Sequence, residues 1–171
     1  MNIAGKFVKE WEVARYFAIA NDDNRLSNLG EQKQIPEPGI VSITLPTTTE
    51  GTPLSWETMT TDDSGYLNLS LDSSTENVIA YARCFLWSPD DREVDVTIGS
   101  DDACRLWIED ELVWDDATWH SATPDQNFLT IKLKKGWNTA LFKVLNGLEQ
   151  MGLYFRIIDN EIRVSPNLNE T

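Results

Sequence analysis

The chain has 171 residues, 41% of them hydrophobic and 25% charged, with 14 Lys and Arg against 28 Asp and Glu for a net charge of −14. That length suits one domain with a proper core. The acidic field disfavours nucleic acid and anionic membrane surfaces as partners, and no run of about 18 apolar residues is present for insertion into a membrane.

Residues 1–10 lack the long apolar stretch of a secretory signal, which leaves two alternatives: a cytoplasmic protein, or a module of a longer secreted one. In residues 6–20, Phe7, Trp11, Ala14 and Ala18 fit a helical stripe. Trp11, Val13 and Phe17 fit an extended edge strand nearly as well. Residues 21–40 are polar and turn-rich, with Pro36 and Pro38-Gly39, and predict a loop. Residues 40–45 alternate cleanly and predict a strand, followed by a turn region over 47–53. Trp56 and Met59 anchor a short strand, and Thr61–Gly65 reads as a turn. Leu67, Leu69 and Leu71 alternate with Asn68 and Ser70, the pattern of a half-buried strand.

Residues 78–87 predict a longer, mostly apolar strand that stops at Ser88-Pro89-Asp90-Asp91. Val94, Val96 and Ile98 then alternate with Glu93, Asp95 and Thr97. After Asp101-Asp102, Leu106 and Ile108 share one face, with Arg105, Trp107 and Glu109 on the other. An acidic turn at Asp110-Glu111 leads to a strand beginning Leu112–Trp114. Residues 128–133 alternate again, and Lys135-Gly136 is a tight turn. Strands at 137–145 and 153–158 are parted by Asn146-Gly147, and the tail from Ser165 is polar. Roughly nine or ten short strands at about ten-residue spacing predict an all-β fold. The expected architecture is a single antiparallel β-sandwich, or jelly roll, over residues 1–171.

Two stretches carry a family resemblance. The first comprises Val78–Arg83, Ser88–Val94, Gly99-Ser100-Asp101-Asp102 with the strand to Ile108, and Leu112-Val113. The second comprises Leu133–Gly147, with Gly136-Trp137-Asn138 near its start, and Gly152–Ile157. Both are similar to the galactose-binding-like and PA14-like β-sandwich modules of bacterial glycan-degrading proteins. Those modules read GSDDG before an apolar-aromatic strand, and GWN before an apolar strand ending in Lys-Val. Trp11–Phe17 is similar to their opening. The likeness covers about residues 78–157 well and the first 70 residues weakly. It implies a non-catalytic carbohydrate-binding module, monomeric and tethered to other domains of a larger extracellular or cell-surface protein. Its partner would be an oligo- or polysaccharide. In PA14-type adhesins a paired aspartate at this loop holds calcium, and the matching residues are Asp101 and Asp102. Ala103 stands where the family has glycine, and Glu109-Asp110-Glu111 where it has an Asn-Gly turn.

The residues themselves allow a functional and a structural reading at each position. Asp101 and Asp102, with a third carboxylate from Asp115, Asp116 or Asp125, could supply calcium's oxygen shell. Otherwise they cap backbone N–H groups in a turn. Trp114 and Trp119 are candidates to stack on a pyranose ring, with Asp116, His120 and Asp125 hydrogen-bonding its hydroxyls. Otherwise one of these indoles plugs the end of the sandwich. Trp11, Trp56 and Trp137 are the expected core plugs, whereas Trp87 and Trp107 share strand parity with charged neighbours and are expected on an outer face. If Trp114 and Trp119 were both buried, the alternative of a structural or protein-interaction sandwich without a sugar site would stand.

His120 is the single histidine, so no multi-His zinc site is available. No nucleophile elbow or phosphate-cradling glycine loop appears. With 28 acidic residues, carboxylate pairs arise by chance and do not point to a glycosidase. Lys132, Lys134 and Lys135 suit protection of an edge strand. Cys84 and Cys104 fall at inward parity and are expected as buried free thiols, with a disulfide as the alternative.

Overall fold

A computed structural model describes residues 5–19, 26, 55–70 and 76–168. The strand expected at 40–45 and the turn at 47–53 lie outside them. Among the described residues the elements are all β. The first four strands are β1 (Lys6–Phe7), β2 (Glu10–Ala18), β3 (Glu57–Thr60) and β4 (Leu67–Asn68). Next come β5 (Val78–Ser88), β6 (Arg92–Asp101), β7 (Ala103–Ile108) and β8 (Glu111–Asp116). The last four are β9 (Asn127–Leu133), β10 (Gly136–Asn146), β11 (Gly152–Ile157) and β12 (Arg163–Ser165).

They form two packed antiparallel sheets. The five-stranded sheet runs β1-β11-β6-β9, with β4 also on β11. The seven-stranded sheet runs β3-β2-β5-β10-β7-β8, with β12 also on β5. Residues 6–7 and 10–18 are therefore extended strands rather than a helix. Trp11 and Val13 point inward and are fully buried, a two-residue period that decides between the two readings.

The inner faces supply the core. Val94, Val96 and Ile98 of β6 meet Cys84, Leu86, Ala140, Phe142 and Val144 of the facing sheet. Trp11, Phe142 and Phe155 form its aromatic centre. The Trp11–Phe142 and Phe142–Phe155 rings meet edge to face, with centroids 5.8 and 5.0 Å apart. Cys84 and Cys104 are buried and free, on strands separated by β10.

The middle of the outer face of the seven-stranded sheet is also removed from solvent. Ile79, Tyr81, Leu141, Leu145, Ala103 and Trp107 form a second buried cluster there, with Trp56 packed against it. This explains why residues 78–87 read as a continuous apolar run rather than an alternating one. Trp107 faces outward as its parity predicts, yet only 4% of it is exposed. Trp87 lies on the same face under the guanidinium of Arg163, 3.8 Å from its ring centroid. Arg83 is buried in this layer, paired with Glu12 at 2.7 Å and stacked 3.9 Å over Trp56. Burial lowers its pKa, because the charged guanidinium is desolvated.

Candidate functional site

Antiparallel pairing brings three connections to one end of the sandwich: the hinge from β6 to β7 at Asp102, the β8–β9 loop over residues 117–126, and the β10–β11 turn over 147–151. Asp102 ties them together. Its Oδ1 accepts the His120 N–H at 3.2 Å and its Oδ2 the Gly147 N–H at 3.0 Å. Its own N–H donates to the Leu145 carbonyl at 3.3 Å, and its carbonyl accepts from Ser100 Oγ at 2.8 Å. Ala103 sits within β7 without a positive φ, so this hinge has no need of a glycine there. At the next turn Glu109 takes φ 52° and its Oε1 accepts the Thr139 N–H at 2.6 Å, pinning the acidic turn to β10.

Asp101 ends β6 and is 8% exposed. Its carboxyl is pushed from 3.8 to about 6, first by burial and then by the neighbouring Asp102 charge. His120 and the Ala122 N–H oppose that shift. The β8–β9 loop presses on the sheet at Gly99, where a Cβ would lie 2.0 Å from the Thr123 carbonyl oxygen. Any side chain there would displace the loop that carries Trp119 and His120.

Within the loop His120 Nε2 is 2.9 Å from Asp116 Oδ2, and Gln126 Nε2 donates to the Ser121 carbonyl at 3.1 Å. Asp116 and His120 are thus brought together, each partly buried. Trp119 projects outward with 44% of its surface exposed. Its ring rests on Gly147, where a Cβ would meet Trp119 Cζ3 at 2.8 Å. Trp119, Asp102, Gly147, Leu148 and Glu149 line an open cavity of about 370 Å³.

The remaining two predicted contacts lie elsewhere. Trp114 points inward, packs partly buried against the inter-sheet core and has its Nε1 buried. Asp125 turns at φ 57° toward the outer face of the five-stranded sheet. There it forks onto Arg156, with Nε donating to Oδ1 at 2.8 Å and Nη2 to Oδ2 at 3.0 Å. Thr97 Oγ1 adds a hydrogen bond at 2.6 Å. The site therefore presents one indole face where the sequence suggested two. Asp115 is held by Arg105 at 2.9 Å, away from the paired aspartates. Among the described residues no three His, Cys, Asp or Glu side chains are placed to hold a metal ion.

Gly147, Leu148 and Glu149 were not among the expected contacts. Their signal was the Asn146-Gly147 turn, which marks a strand end but does not say which loop it meets. A larger cavity of about 860 Å³ lies at the opposite end, between the β9 and β7–β8 termini. Glu93, Asp110, Glu111, Lys132 and Lys134 are among its lining residues, and among the described residues no aromatic ring is.

No protein-family model and no curated relative matches the chain. Among solved structures, the GH31 alpha-xylosidase from Xanthomonas citri aligns at 12% identity and TM-score 0.44, over 91% of this chain and 16% of its own. The beta-glucosidase from Kluyveromyces marxianus in complex with glucose aligns at 10% identity and TM-score 0.41, over 93% of this chain and 16% of its own. The chain thus spans about a sixth of each.

Proposed function

We propose that the chain is a non-catalytic carbohydrate-binding module, an extracellular or cell-surface part of a larger glycan-active protein. The observation that carries this reading is the outward indole of Trp119, propped on Gly147 beside the carboxylates of Asp102 and Glu149. An exposed tryptophan face beside hydrogen-bond acceptors matches the two surfaces of a pyranose ring, one apolar and one rimmed with hydroxyls. The motifs at Gly99–Ile108 and Leu133–Gly147 support the same reading through the resemblance they carry. In this reading Trp119 stacks on the sugar while Asp116 and His120 brace the loop behind it. Asp101 and Asp102 organise the rim through backbone N–H groups, and calcium is not required for that task. Asp125 and Trp114 act in the scaffold.

The scaffold-only alternative draws support from Trp114, whose ring is packed into the core. Trp119 separates the two readings, because 44% of its surface is exposed. The test is a glycan microarray probed with wild type and Trp119→Ala, each with calcium and with chelator. The expected result is a signal that survives chelator and disappears in the variant at unchanged melting temperature. No signal from wild type, or an equal signal from the variant, would refute the reading.

A further inference from the structure

The loop that carries Trp119 is tied back to the sheet through one side chain. Asn127, the first residue of β9, pairs with Ile98 of β6. Gln126, just before it, extends that pairing with its side chain: Oε1 accepts the N–H of buried Ser100 at 3.3 Å. This bond fixes which way the amide points, since a backbone N–H needs the oxygen and not the nitrogen. Gln126 Nε2 is thereby turned to the loop, where it reaches the Ser121 carbonyl at 3.1 Å and His120 Nδ1 at 3.4 Å.

An N–H donor facing Nδ1 requires a lone pair there, so the proton of a neutral ring sits on Nε2. Nε2 is 2.9 Å from Asp116 Oδ2, at the end of β8, which accepts it. The opposite tautomer would donate from Nδ1 to the Ser121 carbonyl at 3.4 Å, and would set the Nε2 lone pair against the Asp116 carboxylate. The amide orientation imposed by β6 therefore decides where the imidazole proton sits. Trp119 is the residue before His120, whose N–H is held by Asp102. We propose that Gln126 is the positioning residue of the Trp119 indole, acting by locking His120 as the Nε2–H tautomer between β6 and β8. The use of this lock rests on the carbohydrate reading above: an indole already held in place loses less freedom when a sugar binds.

His120 is the single histidine, so a long-range proton–nitrogen NMR spectrum reports its ring without further assignment. Wild type, Gln126→Glu and Gln126→Met are recorded without sugar at about pH 8, where imidazole is ordinarily neutral. Gln126→Glu keeps the acceptor for Ser100 and removes both donors, whereas Gln126→Met removes all three contacts. Wild type is expected to show a protonated Nε2 and a bare Nδ1. Gln126→Glu should draw a proton onto Nδ1, and Gln126→Met should leave both tautomers populated. The Trp119 indole N–H resonance, single in wild type, should broaden or double in both variants, and their glycan-microarray signals should fall several-fold. A merely structural role for Gln126 would lower the melting temperature without moving the ring proton. A proton on Nδ1 in wild type, or the wild-type ring pattern in both variants, overturns the tautomer lock. An unchanged Trp119 resonance, or an unchanged microarray signal, in variants whose ring pattern has altered overturns the positioning role. No microarray signal from wild type overturns the carbohydrate reading alone, because the spectra are recorded without sugar.

Discussion

Replacing Asp101 by Asn should stabilise the protein at neutral and alkaline pH and leave it nearly unchanged in acid. Asn keeps the shape and the carbonyl oxygen that accepts the Ala122 N–H, and removes only the charge. The Asp101 carboxyl is raised from 3.8 to about 6 in the folded chain, chiefly by burial. A raised folded pKa means the native state binds the proton more tightly than the unfolded state does. Stability is therefore fully present below about pH 4 and is lost as pH rises through about 6. The full shift corresponds to about 3 kcal/mol, and solvent screening at the rim reduces this to about 1–2 kcal/mol. Urea denaturation of wild type and Asp101→Asn at about pH 4 and about pH 8 should therefore show a gap that opens by about 1–2 kcal/mol in favour of the variant. A gap that stays constant across that range, or one that favours wild type at the higher pH, would refute the assignment of Asp101 as a buried, disfavoured charge.

Asp102 should behave in the opposite way. Its carboxylate accepts two backbone N–H groups from different loops, so Asp102→Ala should cost about 2–4 kcal/mol in denaturant unfolding; a cost below about 1 kcal/mol would mean that the rim is held by something else. Asp125→Ala should cost about 2–3 kcal/mol by removing the carboxylate fork on the part-buried Arg156, and it should leave glycan affinity unchanged. Lost affinity at unchanged stability would put Asp125 back among the ligand contacts.

The sandwich was legible where one face is wet and the other buried. Val94, Val96 and Ile98 alternate with Glu93, Asp95 and Thr97, and β6 follows that alternation from Glu93 to Val96, after which Thr97 and its successors are buried as well. The segment around Trp11 was ambiguous because aromatic and small residues fit both periods, and its pairing with β3 and β5 resolves it. Trp114 shows how a single irregularity reverses an inference. Counting by twos from the exposed Leu112 puts Trp114 on the outside. A bulge, however, pairs Trp107 with Leu112 and Leu106 with Trp114, so the indole follows Leu106 inward. Asp125 adjoins Gln126, which joins the His120 network, but at φ 57° its carboxylate pairs with Arg156 and Thr97 instead. Gly147 and Glu149 lie 28 and 30 positions beyond Trp119 in the chain. Their meeting with it depends on strand order, which local pattern does not encode.

The central claim is that a single outward indole at the β6–β7, β8–β9 and β10–β11 rim contacts the sugar. Indole N–H resonances, assigned by substitution and followed by NMR while a bound glycan is titrated, test it most directly. The Trp119 signal should move in a saturable way, with Gly147 and Glu149 amides moving alongside it and Trp11 and Trp114 still. Shifts that instead cluster on Lys132, Lys134 and Glu111 at the opposite end, with Trp119 unmoved, would contradict it.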